Sequence, residues 1–266
     1  MEHVEKLNIQ RYTNDGVEDI EDVVIIEAPI TIILNNQELV TLLCSPIDLK
    51  YLAIGYLFSE GLLDNKSEIE KVSVDEDKGI VRVETIAEKQ PEGELAFKRL
   101  ITSGCGRGAS LYSLADAQTL AEVKSDMAIS AAEIFALVKE FQNQSDMFKE
   151  TGGVHSAALC DTKSILIFKE DIGRHNAIDK IIGQCVLNDI PMDNRIILTS
   201  GRISSEILFK VLKRNIPILI SRSAPTSVGV KLANDLGITL VGFVRGTRMN
   251  VYSNPQRISD SGKQAL

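Results

Sequence analysis

The feature that most constrains this fold is an alternation of apolar segments with helical patterns in the last third of the chain. Residues 196–199, 216–220 and 238–243 are short apolar runs, which is typical of buried strands. Helical patterns over about residues 204–214 and 225–236 separate them. Strands that alternate with helices in this way indicate a parallel sheet that helices cover on both faces.

The first part of the chain has a different pattern. Apolar runs at residues 23–26 and 30–34 are followed by an Asn-Asn turn signal and a returning run at residues 38–44, which predicts a hairpin. A helical pattern then ends near Gly61, and the alternating residues 71–84 predict a second hairpin. We therefore expect this part to be β-rich, with one helix.

The pattern changes near the middle of the chain. Ser130 and Glu133 form the capping box that starts a predicted helix. From this change the sequence predicts a smaller β-rich N-terminal domain over residues 1–124, with the Cys105 loop at its end, and an α/β domain over residues 125–266. The predicted fold class is α/β, or α+β when both domains are considered together.

The composition excludes several classes of protein. A net charge of −8 argues against a general nucleic-acid binder, because such proteins neutralise phosphates with an excess of Lys and Arg. The first residues lack the charged-then-apolar layout of a signal peptide. No apolar run approaches the roughly 18–20 residues that a membrane span needs. We expect a soluble, cytoplasmic protein with no nucleic-acid or membrane partner.

Arginines recur directly after the predicted strands of the α/β part. Arg202 follows the first strand, Arg222 the second, and Arg245 and Arg248 the third. Ligands bind beyond the carboxyl ends of parallel strands, and helix N-termini with arginines nearby attract anions. The pattern therefore predicts an anion site. The alternative is that these are ordinary solvated loop arginines.

Arg174 and His155 are further candidates for the same cleft. Arg174 opens a predicted helix, although Asp171 and Asn176 beside it can equally serve as local helix caps. His155 lies at the start of a predicted strand, where it could be a general acid or base or contact a ligand. The alternative is a partly buried histidine whose hydrogen bonds are satisfied within the protein.

The four cysteines are scattered, which excludes a zinc ribbon and gives no disulfide framework. Cys44, Cys160 and Cys185 lie in apolar strand or helix patterns and are predicted to be core residues. Cys105 lies in a glycine-rich loop near Arg107, whose charge favours the thiolate, the nucleophile of sulfur exchange. The alternative is a turn in which this cysteine has no chemical role.

Taken together, these segments resemble the FdhD/NarQ family of formate dehydrogenase accessory proteins. The resemblance extends over most of the chain, in the order found in the family. The matching segments are residues 27–30, 53–61, 103–106, 151–157, 171–177, 199–202, 221–226 and 242–246.

The resemblance implies a sulfurtransferase. Family members accept sulfur from a cysteine desulfurase as a persulfide and pass it to the molybdenum cofactor with two pterin guanine dinucleotides, before formate dehydrogenase receives that cofactor. It also implies a three-layer α/β C-terminal domain similar to cytidine deaminase. By position, Cys105 matches the persulfide cysteine and residues 243–248 match a cofactor-binding stretch, and no catalytic metal is held by the protein. The predicted cofactor-binding residues are His155, Arg174, Arg202, Arg222, Phe243, Val244, Arg245, Gly246, Thr247 and Arg248.

The sequence departs from the family pattern in one respect. Many members have a Cys-x-x-Cys pair in the loop, whereas Gly108 occupies the second position here. A single thiol can still hold a persulfide, but a step that needs a resolving thiol has no partner in this loop. Cys160 can replace it only if the fold brings the two cysteines together.

Two other functions remain open. One is a non-catalytic chaperone that holds the cofactor without handling sulfur. The other is a zinc-dependent deaminase, which needs a His-x-Glu element and a cysteine pair. Ser156 and Ala157 follow His155, and the chain has no such cysteine pair. The oligomeric state is also open, with a homodimer as one option.

Overall fold

The structure is a computed structural model that describes residues 2–87, 99–101 and 121–259, with only the backbone described at 99–101. Within these residues the chain combines α-helices with several β-sheets, which confirms the predicted α/β class. The predictions about the loop that contains Cys105, Arg107 and Gly108 fall outside the described residues.

The described residues of the N-terminal part form a two-stranded ribbon, a five-stranded sheet, one α-helix and a short 3-10 helix over Lys66–Glu68. The ribbon is β1–β2, and the sheet has the strand order β5-β6-β3-β4-β7. Both predicted hairpins are present, since β3 pairs antiparallel with β4 and β5 pairs antiparallel with β6. The elements are β1 (Val4–Thr13), β2 (Gly16–Ile25), β3 (Ala28–Leu34), β4 (Gln37–Cys44), α1 (Leu49–Glu60), β5 (Ile69–Asp75), β6 (Ile80–Thr85) and β7 (Arg99–Ile101).

The sequence patterns do not predict β1. Eight of its ten residues are exposed, and most of these are polar or charged. The strand therefore lacks the regular alternation of apolar and polar residues that predicts a half-buried strand. The strand nevertheless pairs with β2 along its whole length, from Val4 opposite Ile25 to Thr13 opposite Gly16.

The second part is built on a six-stranded sheet with the order β10-β9-β11-β12-β13-β14. The capping box of Ser130 and Glu133 is present at the start of α2, as predicted. The elements are β8 (Ile129–Ser130), α2 (Ala131–Gln144), α3 (Asp146–Thr151), β9 (His155–Cys160), β10 (Ile165–Asp171), α4 (Arg174–Leu187), β11 (Ile196–Thr199), α5 (Ser205–Leu212), β12 (Ile218–Ser221), α6 (Ser227–Asp235), β13 (Thr239–Arg245), β14 (Arg248–Ser253) and β15 (Ile258–Ser259).

The central sheet is mixed and not wholly parallel. The strands β11, β12 and β13 are parallel, as the strand–helix alternation predicts. In contrast, β9 runs antiparallel to both β10 and β11, and β14 runs antiparallel to β13. For β9 and β10 the antiparallel pairing follows from the connection, because the short turn between them leaves no room for a crossover helix. In this turn the Asp161 carboxylate accepts hydrogen bonds from the backbone N–H groups of Lys163 and Ser164.

Helices cover both faces of this sheet, so the second part has three layers. One face, with Leu159, Ile197 and Leu219, packs into the same apolar cluster as buried residues of α4, α5 and α6. The other face, with Leu198 and Ile220, packs with buried residues of α2. In the described part of the chain, no helix is both long and apolar enough to cross a membrane.

The N-terminal helix α1 packs directly on α4 through two glycines. A Cβ atom on Gly55 would lie 1.7 Å from the backbone oxygen of Asp179, and one on Gly183 would lie 1.9 Å from that of Tyr51. No side chain fits at either position, so the two backbones are in contact.

A buried ion pair joins the same two parts of the chain. Lys180 Nζ lies 2.7 Å from Asp171 Oδ2, and both side chains are fully buried. Lys180 also donates to the backbone oxygen of Ser45, and Asp171 accepts from the Ser45 N–H. One apolar core accordingly contains residues from both parts. The domain boundary between residues 124 and 125 stays a prediction.

We predict that Gly55→Ala destabilises the protein by about 2–3 kcal/mol, because its methyl group forces α1 away from α4. The free energy of unfolding in urea measures the effect. Lys50→Ala is the matched control, since Lys50 is an exposed residue of the same helix. Equal stability of the two variants would contradict the backbone contact.

Candidate functional site

The strand registers bring the predicted site residues to the end of the central sheet at which the parallel strands β11, β12 and β13 finish. This end is called the cationic edge here, and it carries His155, Arg174, Arg202, Arg222 and Arg245. His155, at the start of β9, lies opposite Asp171, at the end of β10. Thr199, at the end of β11, lies opposite Ala157 of β9 and opposite Ser221, the last residue of β12. The segments that carry the predicted arginines therefore leave the sheet side by side.

Backbone hydrogen bonds join the loop after β12 to the strands on both sides of it. The N–H of Arg222 donates to the Thr199 oxygen over 3.2 Å, and the N–H of Phe243 donates to the Ser223 oxygen over 3.1 Å. The loop after β12 is therefore bonded to the end of β11 on one side and to β13 on the other, and this fixes the position of the backbone that carries Arg222.

The loop after β11 also packs on the first turn of α4. A Cβ atom on Gly201 would lie 2.7 Å from the Cβ atom of Arg174, which explains why this position is glycine. The contact brings the half-buried Arg174 beside the loop that carries the exposed Arg202.

His155 lies within this group of cations. Its ring is half-buried, and its Nδ1 atom lies 3.2 Å from the Ser200 hydroxyl oxygen. Burial lowers the pKa of His155 below its ordinary value of 6.5, and the positive charges of Arg174 and Arg202 and the neighbouring His175 lower it further. The imidazole is therefore neutral at pH 7.

A second pair of cations lies at the ends of β12 and β13. Among the described residues, the buried Nε of Arg222 has no hydrogen-bond partner. Burial lowers the pKa of Arg222, and the positive charge of Arg245, on the neighbouring strand, lowers it further. Two adjacent cations with an unsatisfied donor have the chemistry of an anion site.

The stretch from Phe243 to Arg248 contributes in different ways. Phe243 has a φ of 52°, a left-handed conformation that is costly for a bulky residue, and its ring centre lies 5.9 Å from the Arg245 guanidinium carbon. Val244 is fully buried in the core, so it supports the stretch from inside the protein and does not line its surface. Gly246 and Thr247 form the exposed turn that leads to the exposed Arg248.

In the segment that leads into α4, Asp171 and Asn176 form local helix caps. This was the alternative to a role of this segment in the cleft. Asp171 Oδ1 accepts hydrogen bonds from the Gly173 N–H at 2.8 Å and from Asn176 Nδ2 at 2.9 Å. These two polar residues are satisfied inside the protein, so they hold the start of α4 in place. Arg174 packs against Gly201, and its charge, together with that of His175, lowers the pKa of His155.

Two residues that contact the site histidines are absent from the predicted set. Ser200 contacts His155, and Glu206 Oε2 lies 3.0 Å from Nε2 of His175. Ser200 directly follows a strand, which was a usable signal. Nothing in the sequence links Glu206 to His175, because their contact depends on how α5 packs beside α4.

The three cysteines within the described residues are buried, as predicted. Burial raises the pKa of Cys44 and Cys160, and it raises the pKa of Cys185 to about 12. These thiols therefore stay protonated and are poor nucleophiles. Cys160 lies at the end of β9 that is remote from His155, so it does not belong to the cationic edge.

Comparison with known proteins agrees with these features. The family model of the FdhD/NarQ family matches residues 25–259. The sulfur carrier protein FdhD of Bacillus subtilis is 42% identical over 253 residues, covering 95% of this chain and 97% of that protein. The protein of the same name from Bacillus pumilus is 45% identical over 239 residues, covering 90% and 91%.

A solved structure is similar along almost the whole chain. It is the crystal structure of a protein from Desulfotalea psychrophila described as a putative formate dehydrogenase accessory protein. The TM-score is 0.79 at 28% sequence identity, and the match covers 97% of this chain and 100% of the other.

We predict that His155 makes the protein less stable at low pH. Its pKa is lower in the folded state, so below pH 6.5 the unfolded chain binds the additional proton and stability falls as the pH falls. His155→Asn is expected to reduce this slope by up to about 1.4 kcal/mol per pH unit. Urea unfolding above and below pH 6.5 measures the slope, with His3→Asn as the control. An unchanged slope in His155→Asn would contradict the buried, cation-flanked environment.

Proposed function

Because the chain belongs to the FdhD/NarQ family, we propose that it carries sulfur from a cysteine desulfurase to the molybdenum cofactor with two pterin guanine dinucleotides that formate dehydrogenase requires. The curated relatives are named sulfur carrier proteins, and the similar crystal structure is described as that of a putative formate dehydrogenase accessory protein. In this proposal the cofactor is a substrate that the protein binds and releases.

The cationic edge is the observation that supports binding of the cofactor. Each dinucleotide arm of the cofactor has a pyrophosphate, which is a dense negative charge. Arg222 presents a buried nitrogen without a partner among the described residues, and Arg245 lies close to it. Arg202 lies near His155 on the neighbouring loop, and its exposed guanidinium has no hydrogen bond to the described residues. Phosphate oxygens satisfy such donors bidentately.

Phe243 supports the same proposal from the other side of the edge. Its left-handed backbone places an aromatic ring beside the Arg245 guanidinium. Strain of this kind is kept in proteins where it serves a site. A half-buried ring next to phosphate-binding arginines suits a ligand that combines a planar base with phosphates.

The sulfur half of the proposal rests on Cys105. Its thiolate attacks the outer sulfur of the desulfurase persulfide, a new S–S bond forms on Cys105, and the desulfurase cysteine leaves as a thiolate. No net oxidation occurs in this exchange. The other three cysteines of the chain are buried, which leaves Cys105 as the candidate for the sulfur carrier.

We place this reaction in the cytoplasm. Thiol chemistry of this kind requires a reducing compartment, and the three described cysteines are all unpaired. Formate dehydrogenase is the recipient of the sulfurated cofactor in this proposal. A chaperone that binds the cofactor without carrying sulfur is the second candidate, favoured by Gly108 in place of a second loop cysteine.

We predict that Cys105→Ala abolishes sulfur loading. The wild-type protein, incubated with a cysteine desulfurase and ³⁵S-labelled cysteine, is expected to gain label that a reductant removes, because a persulfide is reducible. Cys185→Ala is the matched control, since that thiol is buried. Normal formate dehydrogenase maturation by Cys105→Ala would rule out the sulfur relay and favour the chaperone.

We predict that Arg245→Ala weakens the binding of guanosine diphosphate at least about tenfold, because a charge-assisted phosphate contact contributes about 1.5–3 kcal/mol. Isothermal titration calorimetry gives the dissociation constants. Arg195→Ala removes an arginine at the opposite end of β11 and serves as the control. Equal affinities for the wild type and Arg245→Ala would place the nucleotide elsewhere.

A further inference from the structure

Hydrogen bonds hold the side chain of Ser200 beside the ring of His155. Its hydroxyl oxygen accepts a hydrogen bond from the Ser156 N–H at 3.0 Å and lies 3.2 Å from Nδ1 of His155. Its own N–H donates to the Ser156 oxygen at 3.0 Å. Ser200 is therefore held to β9 at two points, and its hydroxyl has a fixed position beside the imidazole.

The hydroxyl has one hydrogen to donate, and His155 offers a place for it. Among the described residues, Nδ1 of His155 is the sole acceptor next to this hydroxyl. A neutral imidazole has one protonated and one unprotonated nitrogen, and the hydrogen bond at one nitrogen decides which is which. When Ser200 donates to Nδ1, the ring proton must be on Nε2.

The neutral state itself follows from the surroundings of the ring. Arg174 and His175 at the start of α4 and Arg202 on the loop after β11 are the charged or titratable groups that act on His155. Protonating the ring would add a positive charge beside two guanidinium groups. The ring is therefore uncharged while the edge around it is cationic.

We propose that Ser200 is a positioning residue that holds His155 as the neutral Nε2–H tautomer, so that His155 donates an uncharged hydrogen bond to a phosphate oxygen of the bound ligand. The ligand class is a nucleoside diphosphate or a similar pyrophosphate ester. This role rests on the proposed cofactor binding at the same sheet edge. Nε2 is available for it, because that atom has no hydrogen-bond partner among the described residues.

The sequence allows two roles for His155, which are a general acid or base and a ligand contact, and the Nε2–H tautomer is compatible only with donation of a hydrogen bond to a ligand. A general base needs an unprotonated nitrogen that faces the substrate. With Nδ1 occupied by Ser200 and Nε2 protonated, the ring has no free lone pair. His155 is therefore a ligand-binding donor and not a base.

Nitrogen-15 NMR of the histidine rings tests the tautomer without any ligand. The chain has three histidines, so the ring signals are assigned by His3→Asn and His175→Asn variants. At a pH well above 6.5, we expect Nδ1 of His155 to have the shift of an unprotonated nitrogen and Nε2 that of a protonated one. Ser200→Ala is expected to give a mixture of tautomers, and Ser200→Thr, which keeps the hydroxyl, is expected to restore the wild-type signals.

Ser223→Ala is the matched control for these spectra. Ser223 lies at the same edge, after β12, and no hydrogen bond links its side chain to His155. The variant is expected to keep the wild-type tautomer. A protonated Nδ1 in the wild type, or an unchanged tautomer in Ser200→Ala, would overturn the proposal.

Measuring the binding of guanosine diphosphate distinguishes a failure of the Ser200 proposal from a failure of the proposed function. Ser200→Ala is expected to bind the nucleotide about two- to threefold more weakly, because only the fraction of its His155 rings in the Nε2–H tautomer can donate to the phosphate. If the wild type shows the Nε2–H tautomer but binds no nucleotide, the proposed function fails and the ligand role of His155 fails with it, while the Ser200 contact stands. If the wild type binds and Ser200→Ala binds equally well, cofactor binding stands and the positioning role is wrong.

Discussion

The contact between α1 and α4 is the constraint on which the rest of this structure depends. Gly55 and Gly183 let the two backbones touch, so the position of α4 is set by the N-terminal part of the chain as much as by the sheet beneath it. The buried pair of Lys180 and Asp171 then fixes α4 along its axis, because both groups also bond to Ser45. Losing one partner of such a pair leaves an uncompensated buried charge, so it tolerates little displacement.

The arrangement of the cationic edge is a consequence of that placement. Arg174 is the first residue of α4, and it packs against Gly201 only because the helix starts where the buried pair holds it. The cations of this edge repel one another in a chain whose net charge is −8. The Glu206 carboxylate lies near Arg174 and His175 and offsets part of this repulsion. On the proposed function, the phosphates of the bound cofactor supply further negative charge. Keeping His155 neutral limits the repulsion while still providing a donor.

The sequence predicts the parts of the site that follow from strand topology. Arg202 and Arg222 follow neighbouring parallel strands that end at the same edge, which the strand–helix alternation indicates. His155 reaches that edge by the opposite route, since β9 is antiparallel and begins where its neighbours end. The pattern of apolar residues does not give strand direction, so this arrangement was predictable only in part. The glycine contacts were not predictable, because a glycine within a helix does not show which backbone approaches it.

The cysteines give the proposed sulfur transfer a specific form. The chain has four cysteines, and burial keeps Cys44, Cys160 and Cys185 protonated and out of reach of other proteins. Gly108 removes the second thiol that many relatives have in the loop. A persulfide on Cys105 therefore has no exposed thiol in its own chain that could convert it into an internal disulfide. On the proposed function, the bound sulfur leaves Cys105 either to the cofactor or to a thiol from another molecule.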